Sequence, residues 1–330
     1  MAAALAVVYI AWGSTFVGMR VAVRSLPPLT MSSMRFLAAG LLLYGWCRWQ
    51  RRRHPDAGWR GPTRREWLAS AILGIALPAA GTGGAAWAEQ KIPAGTAALL
   101  LASVPVWMTI TSRIVDSERI SLRTAGGLVL GLAGVAVLIN PLSAGAPDLL
   151  ASAVALGGAL FWGCGSVYAK RAPRPAQPLL ASGMEMICAG VALGLIGAAG
   201  GEPGRISPAS LVSASGLALG YLIIFGSLLG YSTYEWLLHH ASSQLAGTYA
   251  FVCPLVAVLL GWWLLSEQVS WHTLLAAAAI AGGVALIMLR PREHDKSTTK
   301  QATNPQVNRR AGHSSLKACR CDHVTEPLGR

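Results

Sequence analysis

The residues with the most chemical potential in this sequence are ionisable and aromatic groups set inside long apolar runs. A charge at the centre of a membrane helix costs about 2.5–3.5 kcal/mol on insertion scales, so each such residue is a functional candidate. Glu185, in "ASGMEMICAG", is one. A carboxyl in a low-dielectric site holds its proton more tightly and can exchange it with a cavity or with the cytoplasm. The plainer role is a structural acid held by backbone or by Lys170 and Arg171. Arg20 and Arg35 can attract a carboxylate-bearing solute, but both lie near enough to a membrane surface to snorkel towards it. Trp12 and Trp162 fall in mid-run, too deep for an interfacial aromatic belt. Either they fill space between helices or they floor a cavity that stacks on planar or apolar solutes. Ser14 and Thr15 beside Trp12, and Ser166 beside Trp162, supply the few directional hydrogen bonds such a pocket needs. In "YSTYEWLLHH" (231–240), Trp236, His239 and His240 fit a belt, whereas Tyr231 is about two turns deeper and is placed to line a cavity.

Other chemistries find less support. An integral-membrane enzyme wants Asp, His or Ser/Lys clustered at one face, and only Glu235 with His239 and His240 comes near. No Walker-type phosphate loop is present, which argues against a primary pump, and no cofactor motif stands out. Cys319 and Cys321 with His313 form a weak metal-like cluster in a polar tail, and incidental cysteines are the simpler explanation. The remaining cysteines (Cys47, Cys164, Cys188, Cys253) lie in or beside apolar runs and make no secreted disulfide framework.

The elements that must position these residues are membrane helices. The 330-residue chain is 53% hydrophobic and only 12% charged, against about 25% charged in soluble domains. Apolar blocks of about 20 residues, the length that crosses a hydrocarbon core, predict ten spans near 2–24, 29–48, 66–88, 93–115, 121–140, 148–170, 178–199, 212–238, 243–265 and 271–290. The first is read as a membrane helix and not a cleaved signal, since it lacks a basic n-region. The net charge of +13 is not a nucleic-acid footprint: 22 of the 27 Lys and Arg residues fall on even-numbered connections or beyond residue 289. The positive-inside rule then puts both termini in the cytoplasm. Residues 291–330 read as a disordered basic tail.

The chain also repeats itself. "WGSTFVGMRVAVRSLPPLTMSSMRFLAAG" (12–40) aligns without a gap on "WGCGSVYAKRAPRPAQPLLASGMEMICAG" (162–190), with 11 identities in 29 positions. Further on the offset is 149, and Trp87, Pro105 and Glu118 meet Trp236, Pro254 and Glu267. Each half, 1–141 and 142–290, holds five predicted spans. An odd unit duplicated in tandem enters the membrane from opposite sides, giving an inverted repeat suited to alternating access. Arg35 and Glu185 are repeat-equivalent, but they start from opposite faces, so a direct ion pair needs substantial stagger. The matched prolines Pro105 and Pro254 remove backbone donors in mid-span and are the better hinge candidates; Pro78 is a third. Glu118 and Glu267 precede the last helix of each half and are expected to satisfy its N-terminus. Gly13, Gly81, Gly83, Gly84 and Gly163 permit close helix contact, and Gly127-xxx-Gly131 serves packing first and a homodimer second.

Ten spans in two halves, "AWGSTFVGMR" opening the first, and a Pro with Glu 13 residues later in both halves ("PVWMTITSRIVDSE", "PLVAVLLGWWLLSE") resemble the EamA-type drug/metabolite transporters. The resemblance covers residues 1–290. It implies an all-α membrane protein that exports small metabolites, amino acids or drug-like solutes by secondary transport, without ATP and without catalysis. A flippase or channel on the same scaffold is the alternative.

Overall fold

The computed structural model describes residues 1–54, 60–115, 121–139, 147–240 and 249–288. Among the described residues every regular element is helical. The rods, in chain order, are α1 (Ala2–Ala22), α2 (Pro28–Arg53), α3 (Arg64–Ala88), α4 (Ala94–Val115), α5 (Leu122–Ile139), α6 (Leu149–Ala169), α7 (Pro178–Ala199), α8 (Ala214–Tyr221 running on through Leu222–Leu229 and Gly230–His240), α9 (Tyr249–Leu265) and α10 (Trp271–Met288). Six of them, α1, α3, α4, α6, α7 and α8, are both long and apolar enough to cross a bilayer; α5, α9 and α10 are apolar but shorter.

Local chemistry starts these helices where the sequence suggests. Pro28 and Pro178 open α2 and α7 at the first turn, where a missing N–H costs nothing. Thr63 and Glu66 form a reciprocal capping box on α3, and Asp148 accepts the Ala151 N–H at 2.8 Å to cap α6. Two helices borrow caps from far along the chain. Glu202 accepts the Thr30 N–H at 2.7 Å near the start of α2, and Glu267 accepts the Ala94 N–H at 2.9 Å at the start of α4. Glu267 therefore does satisfy a helix N-terminus, but not the expected one: α10 is capped instead by Ser270, which accepts the Thr273 N–H at 3.2 Å. Ser266, at φ 54°, makes the left-handed turn after α9 that lets Glu267 N–H reach the Gly261 carbonyl at 3.1 Å. Glu118 lies outside the described residues.

Packing relies on small residues, as it must where lipid removes the hydrophobic drive between helices. The face-to-face pairs are α2 with α7 and α5 with α10; α1 lies against α8 and α9, and α6 against α3 and α4. Gly127 and Gly131 are buried under Gly283 of α10, so that stripe serves packing within the chain. Large apolar side chains point outward instead, among them Leu68, Val129, Leu195, Leu217 and Trp263, each more than 60% exposed. An outward apolar surface around an Ala- and Gly-rich interior is what a bilayer solvent selects.

Two features lay beyond sequence reading. The middle of α3 (Ile75–Gly83, containing Pro78) and of α8 (Leu222–Leu229) is π-helical, the wide turn that loosens the backbone ladder. The matched prolines also behave differently. Pro105 follows a break in α4 at Ala102 and Ser103, whereas Pro254 sits inside an unbroken α9.

Candidate functional site

The polar and aromatic candidates gather where α1 meets the π-helical stretch of α8. A wide turn frees carbonyls, and the Trp12 indole N–H donates to one of them, Gly226, at 3.3 Å. The same ring stands against three tyrosines, with centroids 5.5 Å from Tyr231, 4.9 Å from Tyr234 and 4.9 Å from Tyr249. Edge and tilted arrangements of this kind add about 0.5–1.5 kcal/mol per pair beyond area burial. Ser14 and the Tyr221 hydroxyl meet at 2.5 Å, and Thr15 donates to the Trp12 carbonyl at 2.5 Å. Tyr249 escaped sequence reading because an aromatic at the head of a span is ordinarily a belt residue.

Trp162 repeats this placement against α3, with no tyrosine ring contact among the described residues. It packs on Gly81 of the α3 π-helix, as Trp12 packs on Gly230 of α8. Ser166 donates to the Trp162 carbonyl at 2.8 Å, so its hydroxyl serves its own helix. The two indoles thus occupy equivalent positions, but the tyrosines surround Trp12 alone.

Arg35 departs from expectation. It does not snorkel: only 3% of it is exposed, and Nε donates to Ser227 Oγ of α8 at 2.9 Å. Its guanidinium carbon lies 5.1 Å from the Phe36 ring centroid, and Nη1 has no hydrogen-bond acceptor. Arg20 does not simply snorkel either. Its guanidinium donates to the Glu89 carbonyl and stands 4.0 Å from the Glu267 carboxylate. Glu185, also buried, accepts from Arg174 at 2.8 Å. Arg174 is a partner that sequence reading did not name, although it lies eleven residues upstream and across a turn.

Glu89 was missed altogether. It falls one residue past α3, where a charge at the end of a span is unremarkable in sequence. In the structure it is wholly buried, and neither carboxylate oxygen has a hydrogen-bond partner.

No group of three or more His, Cys, Asp or Glu residues is placed to hold a metal among the described residues. His240 Nδ1–H donates to the Trp236 carbonyl at 2.9 Å and the imidazole stacks on that indole, a belt arrangement. Cys319, Cys321 and His313 lie outside the described residues.

Comparison with known proteins agrees with this picture. The model of the EamA-like transporter family matches the chain twice, at residues 1–140 and 149–289. The chain is 37% identical over 288 residues to the "Uncharacterized inner membrane transporter YedA" of Escherichia coli (strain K12), covering 87% of this chain and 90% of that protein. It is 24% identical to Protein PagO of Salmonella typhimurium, over 86% of this chain and 90% of the relative. A solved crystal structure superposes with a TM-score of 0.58 at 17% identity, over 91% of this chain and 98% of its own, which speaks to fold alone. The chain belongs to the EamA-like transporter family and is a membrane transporter, not an enzyme.

Proposed function

We propose that this protein is a secondary-active exporter of small metabolites, amino acids or drug-like solutes, working by alternating access between two inverted five-helix repeats (1–141 and 142–290). In this reading all ten rods span the cell's inner membrane, as the name of YedA suggests for that relative, and both termini are cytoplasmic. The observation that carries it is the equivalence of four close helix approaches in the two halves. A Cβ added at Gly13 would meet Val256 at 2.5 Å, and one added at Gly163 would meet Trp107 at 2.6 Å. A Cβ added at Gly40 would lie 2.8 Å from the Ile187 amide nitrogen, and one added at Gly190 would lie 2.8 Å from that of Leu37. Every one of these pairs maps onto the other at the offsets of 150 and 149 found in the sequence. Interlocked equivalent halves can exchange inward- and outward-facing shapes around a shared site.

The solute site in this reading lies between α1 and α6, with Trp12 and Trp162 as its indoles and Ser14, Thr15, Ser166 and Tyr231 as its polar points. Pro105 and Pro254 are its hinges. Glu185, held by Arg174, is an ion-paired strut whose release would free a proton-accepting carboxylate. The test is counterflow of radiolabelled amino acids and planar drug-like cations in proteoliposomes, with and without a pH gradient. Loss of one ring contact is worth about 0.5–1.5 kcal/mol, so Trp12→Ala should weaken apparent affinity by up to about tenfold with insertion intact. Normal transport by Trp12→Ala and Trp162→Ala alike would make both tryptophans packing residues.

A further inference from the structure

Three unpartnered valences belong to two buried groups close enough to feel each other's charge: Glu89, at the α3–α4 connection, and Arg35, two turns into α2. Glu89 is 0% exposed with both carboxylate oxygens unpartnered, and Arg35, 3% exposed, has Nη1 without an acceptor. An ionised carboxylate sealed from water with no donor to either oxygen is among the least favourable arrangements a protein can hold. A neutral carboxyl is far less costly. We propose that Glu89 carries an exchangeable proton, kept while its end of the bundle is closed and released when that end opens. This rests on the transport reading above and names the group that would link it to protons.

The neighbours are arranged for both states. Arg20 from α1 clasps the Glu89 backbone carbonyl, leaving the side chain free. Arg35 comes from α2, and Glu267 from the α9–α10 connection. From the head of α6, Asp148 is already engaged by Lys91 at 3.4 Å and by the Ala151 N–H. Burial raises the affinity of Glu89 for its proton and the Glu267 carboxylate raises it further, while Arg20 and Arg35 oppose them. Release breaks the carboxyl O–H bond, leaves the electron pair on oxygen and passes the proton to water admitted at the opened end. The new carboxylate is then stabilised by the positive charges of Arg20 and Arg35. The same opening must part Arg20 from Glu267, because Glu267 also clamps the first amides of α4. Deprotonation and movement of α1 against α4 are therefore one event.

Infrared difference spectroscopy of the full chain in lipid nanodiscs, titrated from acid to alkaline pH with no solute present, tests this directly. A carboxyl C=O that accepts no hydrogen bond absorbs at the high-frequency edge of the carboxylic-acid region. Wild type should show such a band, persisting well above the ordinary glutamate range of about 4.3. Glu89→Gln should lose it, and Glu185→Gln should keep it. Should Glu89→Gln fail to insert, wild type carrying 13C-glutamate must still shift the band, and Glu89→Asp must move it out of the labelled set. An unchanged band in Glu89→Gln, a band blind to glutamate labelling, or a band abolished by sodium at fixed pH would each overturn the assignment. Because no solute is used, a failed transport assay leaves this result standing, and the reverse holds too.

Discussion

The contact between α1 and α9 can be challenged by moving one methyl group across it. A Cβ on Gly13 would lie 2.5 Å from Val256 Cβ, 2.6 Å from its Cγ1 and 3.1 Å from the Cys253 carbonyl oxygen. Unstrained carbon contacts need about 3.5–4.0 Å, so Gly13→Ala must push the helices apart by about 1 Å or drive Val256 off its rotamer. Overpacking of this size costs about 1–3 kcal/mol. Val256→Gly alone also destabilises, by about 0.3 kcal/mol of helix propensity plus the lost methyl contacts. In the exchange Gly13→Ala/Val256→Gly the two nearest clashing atoms are gone, and only the Cys253 carbonyl remains tight. The double variant should therefore be more stable than the sum of the singles by about 1–2 kcal/mol, inside the usual range for touching residues. Thermal unfolding read by a thiol-reactive fluorophore suits a background in which Cys164, Cys188, Cys319 and Cys321 are replaced by Ser, since the remaining Cys47 and Cys253 are free and only 3% and 6% exposed. Cys47 lies on α2, away from the contact, and reports global unfolding. Strict additivity, or a Gly13→Ala midpoint equal to wild type, would refute the close approach.

Two further outcomes follow from the caps. Glu267→Ala removes the acceptor for the Ala94 N–H at 2.9 Å, worth about 1 kcal/mol, whereas the Arg20 pair at 4.0 Å, with Arg20 30% exposed, adds at most a few tenths; Glu267→Gln should thus retain over half the lost stability in the same unfolding assay, and equal losses for Ala and Gln would mean that the negative charge, not the accepted hydrogen bond, holds the start of α4. At the head of α6 the Ala151 N–H, followed by Lys91, holds the Asp148 carboxyl below its usual value. Its folded-state proton affinity is depressed, so its contribution is full above about 3.9 and fades as pH falls through the lower folded value. Asp148→Asn should lower stability at neutral pH and converge on wild type in acid, which flattens that limb, and an unaltered limb would assign acid sensitivity to other carboxyls.

Much of the scaffold was legible because membrane solvent imposes a coarse code. Apolar block length gave most of the rods within a few residues, and Pro28, Pro178 and Asp148 marked their starts. The Trp-Gly phrase located the equivalent indoles. What escaped was anything decided by a partner distant in the chain. Arg35 looked close enough to a surface to snorkel, and only its contact with Ser227, 192 residues away, shows why it stays inside. Glu267 caps a helix 173 residues earlier instead of the one that follows it. The π-helical stretches were illegible for another reason. Pro78 announces a disturbed ladder in α3, but "LIIFGSLL" in α8 carries only a central Gly and no proline.

The packing and the charges of this chain obey different rules. Close approaches are conserved between halves at the level of geometry: a Gly on α1 faces α9 just as its counterpart on α6 faces α4, and an indole lies on a Gly of each π-bearing helix. The ionisable groups break that equivalence. Arg35 stands where the other half has Glu185, and Glu89 stands where it has Leu238. Backbone separation admits almost no variation, because a single added methyl at a 2.5 Å approach forces two helices apart. Charge is freer to diverge, provided each buried group finds a counter-ion or a proton. In the proposed alternating access, symmetric packing would let the two halves trade shapes at nearly equal conformational energy. Asymmetric charge then removes the degeneracy: one end holds Glu185 against Arg174, and the other holds Glu89 with no donor at all. A transporter that must respond differently to conditions on its two sides needs that difference, and in this chain it resides in a handful of side chains on an otherwise duplicated frame.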